Sequence, residues 1–251
     1  MVISKPVESR PWFNRLACCF GPLPDNYFVF DVETTGLDTK KDLITQVGFC
    51  RVDDRKSVMN GSLMLDWTKD SRVDHDWFKS RLRNCEAEMR SLGKACHATY
   101  DRVTEEGLEP TEILQGFAAL LREAKGSGKA LLGHNVWRFD IPLLERHFKT
   151  YISDNFTFPP DAVWDTGMIE KARQLEMLPV NGVSRHSFFA QVYNCRGKGL
   201  SWSLDRGCVP NYELVDKHAL DLSQAHEAGF DCFICHLVFE EQRALMNGVQ
   251  A

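Results

Sequence analysis

Two carboxylates stand two residues apart in the otherwise apolar stretch FVFDVETTGL, residues 28–37. Side chains alternate between the faces of a strand, so Asp31 and Glu33 project from one side, close together. Like charges at that spacing repel each other and are costly to desolvate unless a positive group lies between them. Mg²⁺, which prefers oxygen ligands, is a natural partner. Exposed acids at a strand edge, or an arginine paired with Asp31, would explain the same residues equally well.

Acids that could complete such a site occur at two distant places. Asp140 begins a helical pattern after a predicted strand, and Asp231 lies five residues after His226 at the start of the last helix. Each has a simpler explanation, since Asp140 could cap its helix, with Pro142 in the first turn, and His226 could be an ordinary surface histidine. Positions five apart on a helix differ by roughly 140° around its axis. We therefore expect His226 to lie in the loop or first turn, with Gly229 easing the path.

Hydrophobic spacing predicts the elements that would position these residues. The predicted strands are residues 27–32, 43–52, 62–67, 130–135 and a short strand end within 162–166, and the predicted helices are residues 76–92, 112–124, 139–148 and 224–245. Asn60-Gly61 is typical of a turn that joins an antiparallel pair. Strands followed by alternating helices and strands predict an α/β fold in which helices flank a mixed sheet. The prolines of residues 1–26 predict an N-terminal arm without a regular element.

Composition limits the class of protein. The chain has 251 residues, 43% of them hydrophobic, which is ample for a core. No apolar run approaches the roughly 18 residues that a membrane span needs, and the charged, proline-broken N-terminus does not resemble a signal peptide, so we expect a cytoplasmic protein. Nine scattered cysteines favour reduced thiols over a disulfide framework. A net charge of -5 argues against a basic coat for gripping duplex nucleic acid.

The three acidic places together resemble the exonuclease motifs of the DEDDh group of 3′–5′ exonucleases, which includes polymerase proofreading subunits and ribonuclease T. The first motif is DVETTGL, residues 31–37, and the third is HEAGFD, residues 226–231. A tyrosine variant of the family would have tyrosine where this chain has Glu227. The second motif, HNVWRFD, residues 134–140, has three residues between His-Asn and Phe-Asp. Proofreading subunits have two there, and the longer spacing is more like the proofreading domains of family B polymerases.

This resemblance extends over residues 27 to about 240 and implies a ribonuclease H-like fold. It predicts an exonuclease domain at residues 27–245, preceded by the arm at residues 1–26 and carrying a helical insertion at about residues 68–100. It also implies that the domain removes nucleoside 5′-monophosphates from the 3′ end of DNA or RNA. We expect single-stranded ends to be favoured, because a narrow pocket reached by stacking accepts a frayed strand more easily than a duplex.

The resemblance further implies two Mg²⁺ ions, for which Mn²⁺ could substitute, held about 4 Å apart to stabilise an in-line displacement. Asp31 would bridge both ions, and Glu33 and Asp231 would complete the first site. Asp140 would hold the second ion, largely through water. His226 would be the general base that takes a proton from the attacking water, a role suited to a pKa near neutrality.

Substrate contacts follow from the resemblance in the same way. Thr34, Gly36 and Leu37 would bind the 3′-terminal nucleotide, with Leu37 wedged beside the last base, and His134 or Asn135 would line the pocket. Gly36 could instead be only a turn glycine.

Other residues carry weaker predictions. The basic face of the helix at residues 76–92, and a loop with Arg196, Lys198 and Trp202, could track a strand, although a solvated surface is the simpler explanation for any one residue. Asp165 precedes a helix, so we interpret it as a cap before a ligand.

Two further functional classes remain open in the sequence. One is a nucleic-acid binding module that has lost catalysis, against which the intact set of acids argues. The other is a subunit that docks on a polymerase or pairs with a second copy, for which the arm and the insertion are the suggestive features. Cleavage of a 3′ end in Mg²⁺ would separate the enzyme from both.

Overall fold

The computed structural model describes residues 9–197 and 200–247, which contain a five-stranded mixed sheet. The strands are β1 (Tyr27–Thr34), β2 (Ile44–Asp53), β3 (Lys56–Met64), β4 (Ala130–Gly133) and β5 (Val163–Asp165), in the spatial order β3-β2-β1-β4-β5. β1 lies in the centre, antiparallel to β2 and parallel to β4. β2 and β3 are antiparallel, whereas β4 and β5 are parallel.

Helices cover both faces of this sheet, which confirms the predicted fold class. They are α1 (Ser9–Phe20), α2 (His75–Ser91), α3 (Tyr100–Glu106), α4 (Pro110–Gly126), α5 (Asp140–Tyr151), α6 (Thr166–Gln174), α7 (Arg185–Asn194), α8 (Val209–Asn211), α9 (Leu214–His218) and α10 (Ala228–Asn247). The helices predicted at residues 76–92, 112–124 and 139–148 correspond to α2, α4 and α5. The last helix begins four residues later than predicted. Within the described residues, no helix combines the length and apolar character needed to cross a membrane.

Side chains of β1 alternate between two layers of the core, and one of the two rows ends at the acidic residues. Phe28 and Phe30 pack on the face covered by α4 and α5. Tyr27 and Val29 pack on the opposite face, in the layer that contains residues of α1, α6 and α10. Because alternate residues share a face, Asp31 continues the row of Tyr27 and Val29 toward α10. The odd-numbered face of β1 is therefore apolar at one end and acidic at the other.

The N-terminal segment differs from its prediction, because residues 9–20 form the helix α1. Trp12, Phe13 and Leu16 are buried in the same layer as Val29, and the Trp12 indole donates a hydrogen bond to the Met177 carbonyl at 2.8 Å. The prolines do not prevent this helix, since Pro11 lies in its first turn, where no backbone donor is lost. The prediction of an arm was based on the prolines and did not take into account the apolar residues that this helix buries.

The turn between β2 and β3 also differs from its prediction. Asn60 and Gly61 lie inside β3, and the strands are joined at Asp54 and Arg55, which both have positive φ, at 47° and 67°. A two-residue hairpin with positive φ at both positions suits the right-handed twist of paired strands. The backbone N–H of Asp54 donates to the side chain of Asn26 at 2.9 Å, which fixes this turn in place of the predicted one.

Candidate active site

An open cleft of about 740 Å³ lies at the end of β1 where the acidic residues begin. Its walls include all five residues predicted to perform the chemistry, namely Asp31, Glu33, Asp140, His226 and Asp231. They come from β1, from the start of α5 and from the start of α10. The structure thus brings together residues that are up to 200 positions apart in the chain.

Gly48 allows α10 to approach the acidic end of β1. It pairs with Asp31 on the neighbouring strand, and a Cβ built there would collide with the backbone of Ala228. Gln46, the partner of Glu33, accepts a hydrogen bond from the Ala228 N–H at 2.9 Å. These contacts hold the first turn of α10 over β2, so that Asp231 faces the carboxylates of β1.

His226 lies in the loop before α10, as predicted. Its φ of +71° is in the left-handed region, and its backbone N–H lies 3.3 Å from both carboxylate oxygens of Asp231. The Glu227 side chain anchors the next position, because it accepts a hydrogen bond from Gln46 at 2.8 Å and another from Ser62. The bend therefore turns the imidazole and Asp231 toward one point, which a continuous helix would not do.

Asp140 does not cap its own helix. No side-chain capping bond forms at the start of α5, and the Asp140 carboxylate instead accepts a hydrogen bond from the Val32 N–H at 3.1 Å. The carboxylate therefore reaches across to β1, between Asp31 and Glu33 along the chain. This contact contradicts the simpler explanation of Asp140.

Asp165 is the cap that the sequence predicted. Its carboxylate accepts hydrogen bonds from Met168 N–H at the start of α6 and from the backbone N–H groups of Asn135 and Val136. It thereby fixes the second-motif loop, where Asn135 has a φ of +62°. The three residues between the His-Asn and Phe-Asp pairs form a 3₁₀ turn, Val136–Arg138.

Four of the five acids that line the cleft, Asp31, Glu33, Asp140 and Asp231, have raised pKa values. Burial is the largest cause for each, and it raises the pKa of Asp140 to about 8 and that of Asp231 to about 6. The pKa of Asp31 is raised further by the charges of Asp140 and Asp231, and that of Glu33 by the same two groups. Among the described residues no lysine or arginine forms an ion pair with any of the four. Within that part of the chain, no paired lysine or arginine offsets their mutual repulsion.

This donor set fits divalent metal ions. Three possible ligand atoms, one each from Glu33, His226 and Asp231, lie within 4.8 Å of one another. Asp31 and Asp140 add further carboxylate oxygens to the same cleft. Hard cations prefer such oxygen ligands, and Mg²⁺ is usually bound by a few carboxylates, waters and substrate phosphates. The unpaired, repelling acids supply the charge that these ions would neutralise.

The residues predicted to bind the 3′ end have different positions. Leu37 is at the mouth of the cleft with 84% of its surface exposed, whereas Thr34 and Gly36 lie behind the lining residues. The Thr34 hydroxyl donates to the Gly36 carbonyl at 2.7 Å. A Cβ at Gly36 would lie 2.6 Å from an Asp42 oxygen and would also collide with Arg81. Gly36 is therefore needed for close packing on the Arg81–Asp42 ion pair, and not for a left-handed turn.

His134 and Asn135 both line the cleft, as predicted, but their side chains differ in availability. The His134 ring nitrogens bond to the Thr166 hydroxyl at 2.9 Å and to the Trp202 carbonyl at 3.0 Å, and burial lowers its pKa to about 4. His134 is thus a neutral support for the wall that carries Trp202. The Asn135 amide forms no hydrogen bond within the described part of the chain and remains free to meet a ligand.

Several lining residues were not predicted. Lys94, Tyr193 and Asp205 belong to no motif that the sequence displays, and only their folded positions bring them to the cleft, whereas Arg138 lies within the second motif but was given no role. Of the predicted strand-tracking loop, Trp202 lines the cleft, Arg196 does not, and Lys198 lies outside the described residues.

The basic face predicted on α2 is largely engaged with the protein. Arg81 pairs with Asp42, and the Lys79 ammonium lies 4.9 Å from the centre of the Tyr100 ring. These two cations therefore hold the α2 side of the structure together and are not a free surface for a nucleic-acid strand.

Comparison with known proteins agrees with this geometry. The sequence model of the exonuclease family matches residues 28–188. Among solved structures, the zinc-bound complex of Escherichia coli exonuclease I with single-stranded DNA is similar, with a TM-score of 0.53 and 16% identity over 90% of this chain and 42% of that chain. The same enzyme with a dT13 oligonucleotide gives a TM-score of 0.53 and 17% identity, covering 90% of this chain and 43% of that chain. The chain thus spans less than half the length of these structures, and no curated protein matches it.

Proposed function

The chain belongs to the exonuclease family, and from that premise we propose that it is a metal-dependent 3′–5′ exonuclease that removes nucleoside 5′-monophosphates from single-stranded ends. The observation that carries the proposal is the convergence of Asp31, Glu33, Asp140 and Asp231 beside His226 in one cleft, with no cation of the described chain paired to the acids. Acids that serve only the fold would have partners, because an unpaired buried charge is strongly unfavourable.

Two divalent ions would be held by the four carboxylates, with Asp31 shared between them, Glu33 and Asp231 on one side and Asp140 on the other. Bound there, they would supply Lewis-acid charge for the attacking and leaving oxygens of a phosphodiester. Mg²⁺ is the expected ion, and Mn²⁺ has the same preference for oxygen ligands.

His226 would act as the general base. It lies beside Glu33 and Asp231, and its place in the bend before α10 directs the imidazole into the cleft. The reaction consumes one water, breaks the bond between phosphorus and the 3′ oxygen of the preceding nucleotide, and leaves a new 3′-hydroxyl. Proton transfer by a positioned side chain contributes typically 10²–10⁴-fold in rate.

Leu37 would wedge beside the terminal base, since it is an exposed apolar side chain at the mouth of an acidic cleft. The Thr34–Leu37 loop, held by the Arg81–Asp42 pair behind Gly36, would present backbone groups to the 3′ nucleotide. Asn135 offers a free amide on the opposite wall. The similar exonuclease I structures contain single-stranded DNA, which supports the choice of single-stranded ends.

The proposal is tested with single-stranded and duplex DNA and RNA, labelled at either end, in Mg²⁺ or EDTA. We expect a 3′ label to be released at once as a mononucleotide and a 5′-labelled strand to shorten from the far end, only in Mg²⁺. Asp31→Asn is the control for contaminating nucleases. Internal cuts, loss from the 5′ end first, or equal cutting in EDTA would contradict the proposal. Binding of strands without any cleavage would instead select a docking or binding module.

A further inference from the structure

Lys94 joins the candidate general base to the opposite wall of the cleft. It lies between α2 and α3, outside the three motifs, and its ammonium nitrogen is 2.9 Å from His226 Nε2. The same nitrogen is 3.2 Å from a carboxylate oxygen of Asp205, which belongs to the short π-helix Leu204–Cys208. Asp205 thus tethers a cation directly beside the imidazole.

The chemistry of this contact has a consequence for catalysis. A lysine ammonium has three donors and no acceptor, so His226 Nε2 must accept the hydrogen bond through its lone pair. Nε2 cannot take a proton from water while the ammonium uses that lone pair. For His226 to act as a base, Lys94 must leave this position.

The charges of the cleft indicate what would draw Lys94 away. The lining residues within the described part of the chain include five acids and only two cations with permanent charge, Lys94 and Arg138. Arg138 is already engaged, because its guanidinium lies 4.0 Å from the centre of the Tyr193 ring and donates to Asn194 at 2.7 Å. Of these two cations, Lys94 is the one that contacts the candidate base, and an incoming phosphate would compete with Asp205 for its ammonium group.

We propose that Lys94 is a catalytic residue that moves from His226 Nε2 to a non-bridging oxygen of the scissile phosphate when a strand enters the cleft. This inference rests on the exonuclease activity proposed above. The move frees the imidazole to take the proton of the attacking water and places a positive charge where negative charge develops on the phosphoryl oxygens. The entering substrate thereby activates the base that will act on it.

The kinetic test compares Lys94→Met and Lys94→Arg with wild type. Lys94→Met keeps the apolar stem and removes the charge, and we expect kcat to fall about 10²-fold, the effect typical of losing one preorganised transition-state donor, with little change in KM. Lys94→Arg should recover most of that loss. Lys217→Met is the matched control, because Lys217 also pairs with one acid, Glu241, and lies away from the cleft. A wild-type kcat in Lys94→Met would overturn the proposal, and so would a faster enzyme, which would make Lys94 only a block on His226.

A binding test in EDTA measures the contact without turnover. The dissociation constants are compared for two oligonucleotides, one with an ordinary terminal phosphodiester and one with an uncharged methylphosphonate at that linkage. We expect Lys94→Met to lower the preference for the charged linkage by about tenfold, which corresponds to one charge-assisted contact. An unchanged preference, beside an unchanged one in Lys217→Met, would contradict a contact between Lys94 and the phosphate.

The two tests also separate this inference from the proposed function. If wild type degrades no strand faster than Asp31→Asn, the exonuclease proposal fails, and the binding test still decides whether Lys94 contacts the phosphate. If wild type is active, and Lys94→Met changes neither kcat nor the preference for the charged linkage, only the role of Lys94 is overturned.

Discussion

Glu170 and Asp31 are two acids whose surroundings shift the carboxyl pKa in opposite directions. Glu170, in α6, has no exposed surface, and its carboxylate accepts hydrogen bonds from Arg173 at 2.6 Å, Gln174 at 2.7 Å and Tyr212 at 2.7 Å. Burial, the largest single influence, raises the pKa of Glu170, but the hydrogen bonds from Arg173, Gln174 and Tyr212 and the charge of Arg173 together lower it below its ordinary value. At Asp31 both burial and the neighbouring acids raise the pKa.

On the function proposed above, the difference separates an acid that stabilises the fold from one that binds a metal ion. The Asp42–Arg81 pair follows the pattern of Glu170, since burial raises the pKa of Asp42, but Arg81 together with hydrogen bonds from Asp38 and Thr35 lowers it below its ordinary value. Of the four acids expected to hold metal ions, Asp140 and Asp231 accept hydrogen bonds from backbone N–H groups, those of Val32 and His226. Within the described residues no lysine or arginine pairs with these four acids, and bound metal ions would supply the positive charge.

The largest effect should follow from Asp31→Asn. Its carboxylate is expected to bind both ions, so the variant loses several kcal/mol of transition-state stabilisation, about 10³-fold or more in rate. End-labelled strand degradation measures this loss. Because the substitution removes a repelling charge, its melting temperature in EDTA at pH 8 should equal or exceed that of wild type. A clear loss of stability would mean that Asp31 supports the fold, as Glu170 does.

Glu170→Gln should show the reverse behaviour. Removing one partner of a buried ion pair leaves the other uncompensated and costs about 3 kcal/mol. For a chain of this length that lowers the melting temperature by about 6–12 °C. Calorimetry or thermal circular dichroism measures the shift, and the activity of the folded variant at low temperature should stay close to that of wild type. An unaffected melting temperature would remove the contrast between the two acids.

The stability of the metal-free protein should fall as pH rises from about 6.5 to about 8. Folding raises the pKa of Asp231 to about 6 and that of Asp140 to about 8, from an ordinary value of 3.8. At these two acids the folded state binds more protons than the unfolded chain, so they lower the free energy of unfolding as pH rises, and above about pH 6.5 the lowered pKa values of buried His134 and His147 no longer oppose them. Saturating Mg²⁺ should flatten or reverse the slope. Urea melts at several pH values in EDTA and in Mg²⁺ test this, and a slope unaffected by Mg²⁺ would contradict it.

Leu37→Ala should give the smallest effect. The side chain is 84% exposed, so the melting temperature should not change. Losing its apolar contact with the terminal base should weaken strand binding by about 1–2 kcal/mol, since each buried CH₂ contributes about 0.8 kcal/mol and the contact covers only part of the side chain. KM and strand affinity measure this change. Exposed Leu178→Ala, outside the cleft, is the matched control and should leave both constants unchanged.

The sequence predicted the sheet, the main helices and the family, because apolar periodicity and three spaced motifs are local patterns. The antiparallel pairing of β2 with β3 and the position of His226 before α10 were also predicted and confirmed. Asp31 and Glu33 were found from their alternation on one strand. Their convergence with Asp140 and Asp231 came from the resemblance, since no spacing within one segment encodes it.

The parts that were missed depend on tertiary contacts. The helix α1 is stabilised by the burial of Trp12 and Phe13 against distant elements, which local proline counts do not reveal. Gly48 looks like an unremarkable strand glycine until the backbone of Ala228 packs on it. Lys94 and Asp205 are separated by more than a hundred residues and belong to no recognisable motif, so only the folded chain brings them to His226.

Calorimetric titration with Mn²⁺ or Mg²⁺ tests most directly whether the cleft acids bind divalent ions. At pH 8 we predict saturable binding of two ions to wild type, weakened or reduced in number in Asp31→Asn and unchanged in the folded Glu170→Gln variant. No saturable binding to wild type, or equal binding to Asp31→Asn, would contradict the account of the cleft as a metal-dependent nuclease site.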